Sequence, residues 1–368
     1  MESVESQSKT AIPIEVDGEH EWIPVAFTGD AGYIVGGDGN KIRCWRVNDG
    51  KEVEQPVDAG NVVRSIAASR DGAWIVSGTV RGKVAVWNTE SHKRVSEFEG
   101  HATWVCAVDI SPDSTRIATG SDDKTLCVWS RSTGEQLLGP LKHSHGVAAV
   151  KFSPDGQFIA TATWWRESVR MYDSRDGRLL FDSPIRVGSP YNQSLAWVSD
   201  SKQLFALSRD GGIHCLDVPT GRIVSAWAIH SDDNPRCIAL GSNGTFIAVS
   251  ANSSVSFWDT ATHKQMDPLI RHQNDVVYMA ISADDDLVIS AEEKIILRKL
   301  PDILPSSYFD DVGVLRCQKI LFTTTHLPQQ TRKGIYLLAE GRLEGIIQHF
   351  RMQGQYSSMS ITTITQHF

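Results

Sequence analysis

One turn residue recurs through most of this chain. An Asp or Asn stands at Asp30, Asp71, Asp113, Asp155, Asp200, Asn243 and Asp284, at steps of 41, 42, 42, 45, 43 and 41 residues. A second marker, the bulky residue closing the third strand-like segment of each copy, keeps the same phase. It reads Trp45, Trp87, Trp129, Tyr172, Leu216 and Trp258, with Arg298 in the seventh place. Two independent markers in phase through seven copies restrict the chain to a repeat architecture.

The third copy, Gly100 to Trp129, shows what the unit is. A strand-like run from Trp104 to Ile110 meets a turn at Ser111-Pro112-Asp113-Ser114. A second run, Arg116 to Gly120, meets the tight turn Ser121-Asp122-Asp123-Lys124, and a third run ends at Trp129. This is an antiparallel meander. One such sheet has two open edges and cannot bury a core alone. Turn signals at Thr133-Gly134, Asp176-Gly177 and Thr220-Gly221 introduce fourth strands. A period of about 40–45 residues with four short strands predicts an all-β, seven-bladed propeller over residues 9–304. Blades 1 to 6 are expected at Trp22–Val57, Val62–Phe98, Trp104–Leu138, Val147–Phe181, Ser194–Ala228 and Arg236–Leu269.

The ends complement each other. The seventh copy supplies three strands, Val276–Ile281, Leu287–Ser290 and Ile295–Leu300, then stops at Pro301. The segment Ala11–Val16 is a strand without a hairpin partner, so the N-terminal strand is expected to complete the last blade and close the ring. Residues 1–8 read as a disordered lead-in. Residues 305–368 lose the period and read as an irregular extension, poorly ordered or carrying a short helix over Tyr336–Phe350.

Gly100-His101, Ser111-Pro112-Asp113 and the run Gly120 to Trp129 resemble the tryptophan–aspartate (WD40) repeat, and the chain resembles a seven-bladed WD40 propeller. Repeat 3 and its continuation LLGPLKHSHG are also similar to WD repeats of fungal NACHT-associated proteins. The resemblance implies a structural hydrogen-bond network in blade 3 made by His101, Thr119, Asp123 and Trp129. His143 and His272 occupy the corresponding His position elsewhere, but blade 4 has Arg166 and blade 7 has Glu292 where the Asp belongs.

Composition sets the partner class. The 36 Lys and Arg stand against 44 Asp and Glu, a net charge of −8, which argues against general nucleic-acid or anionic-membrane binding. Six cysteines without a CxxC pair, and an N-terminus without an apolar signal region, point to an intracellular protein, cytoplasmic or nuclear. His143-Ser144-His145 lacks further ligands for tetrahedral zinc. Asp284-Asp285-Asp286 lacks the alternating oxygens of a calcium loop, and no phosphate-binding glycine motif is present. No cofactor or small-molecule substrate is expected.

The informative departure is in blade 4. Where blade 3 has its Asp-bearing turn, blade 4 has Trp164-Trp165-Arg166. Trp104 from blade 3 and Tyr191-Asn192 and Arg209 from blade 5 are expected on the same rim sector. Aromatics with Arg have the composition of an interface hot spot. The competing reading folds one Trp back as a cover over its neighbour; Trp74, Trp197 and Trp227 lie inside strands and read as packing. The expected function is a non-catalytic scaffold or adaptor binding a protein or peptide. The alternatives are a ubiquitin-ligase substrate adaptor, a chromatin-peptide reader and, last, a propeller enzyme.

Overall fold

The recurring turn Asp has a local task. In blade 3, Ser111 Oγ donates to Asp113 Oδ1 (2.5 Å), Asp113 accepts the Thr115 N–H (3.1 Å), and Ser111 Oγ accepts the Arg116 N–H (2.9 Å). The same closure recurs at Ser69/Asp71, Ser153/Asp155 and Ser282/Asp284. Desolvation alone would raise the Asp113 carboxyl's pKa, but the Ser111 and Thr115 hydrogen bonds outweigh it and lower the pKa. These side chains close the first hairpin of blades 2, 3, 4 and 7 and fix where the second strand of each starts.

A computed structural model describes residues 11–16, 23–29, 31–53, 55–164, 168–185, 194–208, 210–229, 235–291, 294–305, 308, 319–321 and 335–337. Strand β1 is Ile12–Ile14. Blade 1 comprises β2 (Val25–Phe27), β3 (Tyr33–Asp38), β4 (Lys41–Arg46) and β5 (Val57–Asp58). Blade 2 is β6 (Val63–Ala68), β7 (Trp74–Thr79), β8 (Lys83–Asn88) and β9 (Lys93–Glu99). Blade 3 is β10 (Val105–Ile110), β11 (Arg116–Ser121), β12 (Thr125–Ser130) and β13 (Gln136–Lys142). Blade 4 is β14 (Val147–Phe152), β15 (Phe158–Thr163), β16 (Val169–Asp173) and β17 (Leu179–Ser183). Blade 5 is β18 (Leu195–Trp197), β19 (Gln203–Leu207), β20 (Gly212–Asp217) and β21 (Arg222–Ala228). Blade 6 is β22 (Pro235–Leu240), β23 (Phe246–Ala251), β24 (Ser254–Asp259) and β25 (Gln265–Arg271). Blade 7 holds β26 (Tyr278–Ile281), β27 (Leu287–Ala291) and β28 (Ile295–Lys299), followed by a 3-10 turn at Leu300–Asp302.

The seventh sheet runs β1-β28-β27-β26, so the N-terminal strand is the outer strand of the last blade. Ile12, Pro13 and Ile14 lie opposite Leu297, Ile296 and Ile295 in antiparallel register. Pro13 has no N–H to offer a neighbour, which suits an outermost strand. Blade 1 meets β1 from the other side: a Cβ on Gly50, at φ +67°, would lie 2.7 Å from Ile12 Cγ2.

The second sequence marker is explained by packing between sheets. Trp45 clusters with Tyr278, Ile289 and Ile295 of blade 7, and Trp87 with Val35 and Ile42 of blade 1. Trp129 packs on Val76, Val84 and Val86 of blade 2, and Tyr172 on Ala118, Leu126 and Val128 of blade 3. Leu216 and Trp258 continue the series onto blades 4 and 5. Each large third-strand residue therefore faces the preceding blade, and each aromatic there buries about 150–250 Å². Trp74, Trp197 and Trp227 are half-buried; the Arg131 guanidinium sits 3.9 Å from the Trp74 ring centroid, and Trp227 stacks on His263 at 4.2 Å.

The chain divides into Met1–Pro305 and Ser306–Phe368. In the second unit β29 (Lys319–Leu321) pairs antiparallel with β30 (Ile335–Leu337). Tyr336 and Leu337 of the segment for which a helix was an alternative lie in β30, as suits β-forming Ile and Tyr. Residues 1–8 and 338–350 lie outside the described residues. No helix among the described residues is long and apolar enough to cross a membrane.

Candidate functional site: a rim sector on blades 3 and 4

Blade 3 carries a four-residue polar chain. Trp129 Nε1 donates to Thr119 Oγ1 (2.8 Å), Thr119 Oγ1 is 2.7 Å from His101 Nε2, and His101 Nδ1 is 2.9 Å from Asp123 Oδ2. Asp123 also accepts the N–H groups of Ala102 and Thr125, each at 3.0 Å, and the Thr125 hydroxyl at 2.6 Å. A consistent assignment has Nδ1–H donating to the carboxylate and Nε2 accepting from Thr119. Desolvation would raise the Asp123 carboxyl's pKa, yet the bonds from His101 and Thr125 hold it well below the usual range. The chain ends on an indole N–H, so its hydroxyl serves as a link and no nucleophile is presented.

The other blades keep parts of this arrangement. In blade 4, His143 Nδ1 lies 3.1 Å from the Leu141 carbonyl, and Nε2 lies 3.1 Å from both Thr161 Oγ1 and Tyr172 Oη. Both ring nitrogens are therefore engaged within the protein. Trp87 Nε1 donates to Ser77 Oγ and Trp258 Nε1 to Ser256 Oγ, each at 2.9 Å. Blade 1 substitutes a buried ion cluster, in which Arg43 reaches Asp38 at 2.9 Å and both Glu52 oxygens at 2.8 Å.

In blade 7, His272 Nε2 is 3.3 Å from Ser290 Oγ, and desolvation together with the Arg298 charge pulls its pKa down to about 4. The folded value lies below the unfolded one of about 6.5, so the unfolded chain takes up the proton first. The stability contributed by neutral His272 is present above pH 6.5 and is lost as pH falls toward 4. At about 1.4 kcal/mol per pH unit the gap corresponds to roughly 3 kcal/mol. His272→Gln should flatten the fall of melting temperature between about pH 7 and 5; an unchanged slope contradicts the assignment.

The rim at the start of the first strands joins blades 3 and 4 by a continuous path. The Trp104 carbonyl accepts the Asp122 N–H at 3.0 Å. A Cβ on Gly146 would lie 2.7 Å from Asp122 Oδ1, so the blade 3 turn rests on the loop entering β14. The Gly146 carbonyl in turn accepts the Trp164 N–H at 3.0 Å. Trp104 and Trp164, both half-buried, flank the exposed Asp122. Trp164 Nε1 is buried without a hydrogen-bond partner among the described residues. Trp165, Arg166, Tyr191, Asn192, Arg209 and Glu292 lie outside the described residues.

Two features escaped the sequence reading. Arg64, 2% exposed, sits at a bulge in β6 and its guanidinium bonds Tyr278 Oη, which donates to the Arg64 carbonyl at 3.1 Å. These residues are 214 apart, and no local pattern announces them. The second is Asp109, which accepts the Phe152 N–H at 2.7 Å and faces Lys151 Nζ at 3.3 Å. Desolvation raises the Asp109 pKa against the opposing pull of Lys151. Here a signal existed, because 109 and 151 differ by one 42-residue period. Both line an axial cavity of about 440 Å³ walled by the innermost strands of all seven blades. Burial pushes the thiols of Cys106 and Cys237 up to about 12, so neither is a nucleophile at neutral pH.

Seven radial four-stranded sheets around one cavity define the molecule as a β-propeller. The family model WD domain, G-beta repeat, matches residues 55–88, 92–130 and 135–173. WD40 repeats are thus recognised in three places, running through blades 2, 3 and 4 of a seven-bladed propeller. No curated protein matches it. WD40 propellers commonly mediate protein–protein interaction and are generally non-catalytic.

Proposed function

We propose that this propeller is a non-catalytic scaffold or adaptor that holds a protein or peptide on the loop-lined rim of blades 3 and 4. The path Trp104–Asp122–Gly146–Trp164 supports the reading, since it links two half-buried tryptophans on adjacent blades. Trp165, Arg166, Tyr191, Asn192 and Arg209 complete the contact surface. The axial cavity supports the same view: among the described residues its lining has one carboxylate, Asp109, already engaged by Lys151 and the Phe152 N–H. Converging acids or bases would be needed for catalysis there. The test is affinity capture by the intact protein beside Trp104→Ala and Trp164→Ala variants. Loss of a hot-spot anchor costs 2 kcal/mol or more, about 30-fold in affinity. Partners retained equally by both variants remove the site.

Asp122 favours one narrower reading, a reader of basic peptides, because it is an exposed carboxylate on the backbone path between Trp104 and Trp164, and a cation suits a carboxylate near aromatic residues. Asp122→Asn should then weaken Lys- or Arg-bearing partners selectively. An adaptor for a ubiquitin ligase uses the same surface and differs in what the rest of the molecule recruits.

A further inference from the structure

The residue after the recurring turn Asp or Asn presents a carbonyl that several blades serve with a side-chain donor. At the junction of blades 2 and 3, Arg131 Nε donates to the Ser114 carbonyl at 2.5 Å, with its guanidinium 3.9 Å from the Trp74 ring centroid. At the junction of blades 3 and 4 the arginine comes from the other side. Arg116 Nη2 donates to the Gly156 carbonyl at 3.2 Å, and its Nη1 to the Ser174 carbonyl at 2.6 Å. In blade 6, Thr260 Oγ1 donates to the Gly244 carbonyl at 2.7 Å.

Gly72 is the blade 2 member of this series. Backbone bonds fix the correspondence: the Thr89 N–H donates to the Ala73 carbonyl (3.0 Å) as the Arg131 N–H does to that of Thr115 (2.9 Å). Tyr33 begins β3 as Trp74 begins β7. Tyr33 therefore stands where Trp74 holds a guanidinium, and Thr89 stands where Arg131 supplies one. Among the described residues no donor bonds the Gly72 carbonyl, and the Thr89 hydroxyl oxygen is buried without a hydrogen-bond partner. The junction of blades 1 and 2 is instead a crevice of about 390 Å³ lined by Tyr33, Asp71, Gly72, Thr89 and Glu90, among others. Its carboxylates, Asp71 and Glu90, are on exposed residues, and among the described residues no Lys or Arg lines it.

We infer that the crevice between blades 1 and 2 binds an arginine side chain of a partner protein, its guanidinium taking the place that Arg131 and Arg116 fill at the next two junctions. The chemistry selects that group. A carbonyl and a hydroxyl oxygen ask for N–H donors, an aromatic residue beside them suits a flat cation, and two carboxylates at the mouth favour positive charge. Guanidinium alone among side chains is planar, permanently charged and a donor of five N–H groups, whereas a lysine ammonium is a point charge without a face to stack. The volume lies within the roughly 300–1,000 Å³ of ordinary ligand sites. The Asp71 turn follows the end of β6, whereas the rim site lies at the start of the first strands, so the two sites are independent.

Amide NMR spectra of the full chain, titrated with a blocked Gly-Arg-Gly peptide, test it. The amides of Gly72, Ala73 and Thr89 should shift, and a citrulline peptide, which keeps the shape and loses the charge, should bind about tenfold more weakly or less. Thr89→Arg puts a guanidinium of the chain's own beside the Gly72 carbonyl and should abolish the shifts. Arg131→Ala should conversely add responses at Ser114 and Thr115; without them the equivalence of the two junctions fails. Trp104→Ala on the rim should leave the Gly72 response unchanged, which separates this site from the rim. Equal binding of the citrulline peptide, or shifts retained in Thr89→Arg, overturns the inference. Free L-arginine binding as tightly as the peptide overturns a partner protein as the source. Should Thr89→Arg not fold, the comparison with citrulline decides.

Discussion

Removal of residues 11–16 is expected to abolish cooperative unfolding of the whole ring. Ile14 is 1% exposed and belongs to the cluster that also holds Ile23, Trp45, Tyr278, Ile295 and Leu297. Burying one such side chain contributes about 1.5–3 kcal/mol. Each strand-to-strand hydrogen bond adds about 1 kcal/mol net. With Ile12 partly buried beside it, β1 contributes on the order of 5 kcal/mol, comparable to the whole stability of an ordinary domain. The deletion also bares β28, an apolar edge that invites pairing with other chains. Size-exclusion chromatography should show aggregation, and urea titration a broad transition or none. A truncated chain that stays monomeric with an unchanged urea midpoint contradicts the closure.

The second large effect belongs to Asp123. Its carboxylate accepts four hydrogen bonds, from His101 Nδ1, two backbone N–H groups and the Thr125 hydroxyl. Asp123→Ala leaves the half-buried donors around it without an acceptor and unhooks His101 from the chain leading to Trp129. Bonds to charged groups contribute about 1.5–3 kcal/mol each and are not additive, so a loss of roughly 3–4 kcal/mol is expected. The pH dependence has a definite sign. The folded pKa lies below the ordinary 3.8, so the stabilisation is present above pH 3.8 and is lost as pH falls below it. Wild type and Asp123→Asn should therefore differ most near neutrality and converge in acid. A gap that grows on acidification would run against this assignment.

The legible part of the fold was the part that repeats. The turn Asp is readable because the same side-chain closure recurs in several blades, as at Ser69/Asp71 and Ser111/Asp113. The third-strand aromatic is readable because every blade presents the same gap to its predecessor, filled by Trp87, Trp129 or Tyr172. Blade 7 was harder, since Arg298 breaks the second marker, and its missing outer strand had to be supplied from Ile12–Ile14. The rim path was visible only as a turn with tryptophans in the wrong place; the Asp122–Gly146 contact that joins Trp104 to Trp164 is tertiary. The Arg64–Tyr278 pair lay beyond reach for the same reason, because a bulge re-aims the arginine.

The ring of seven sheets is locked by its own first strand, and residue-resolved hydrogen exchange of the full chain gives the sharpest test of that closure. Pro13 has no amide hydrogen, so the ladder bonds that β1 donates come from Ile12 and Ile14, opposite Leu297 and Ile295. Their N–H groups should exchange as slowly as those at the centre of β28, because opening one requires opening the other. Exchange at the rate of an unstructured peptide at Ile12 and Ile14, with β28 still protected, would contradict the closed ring.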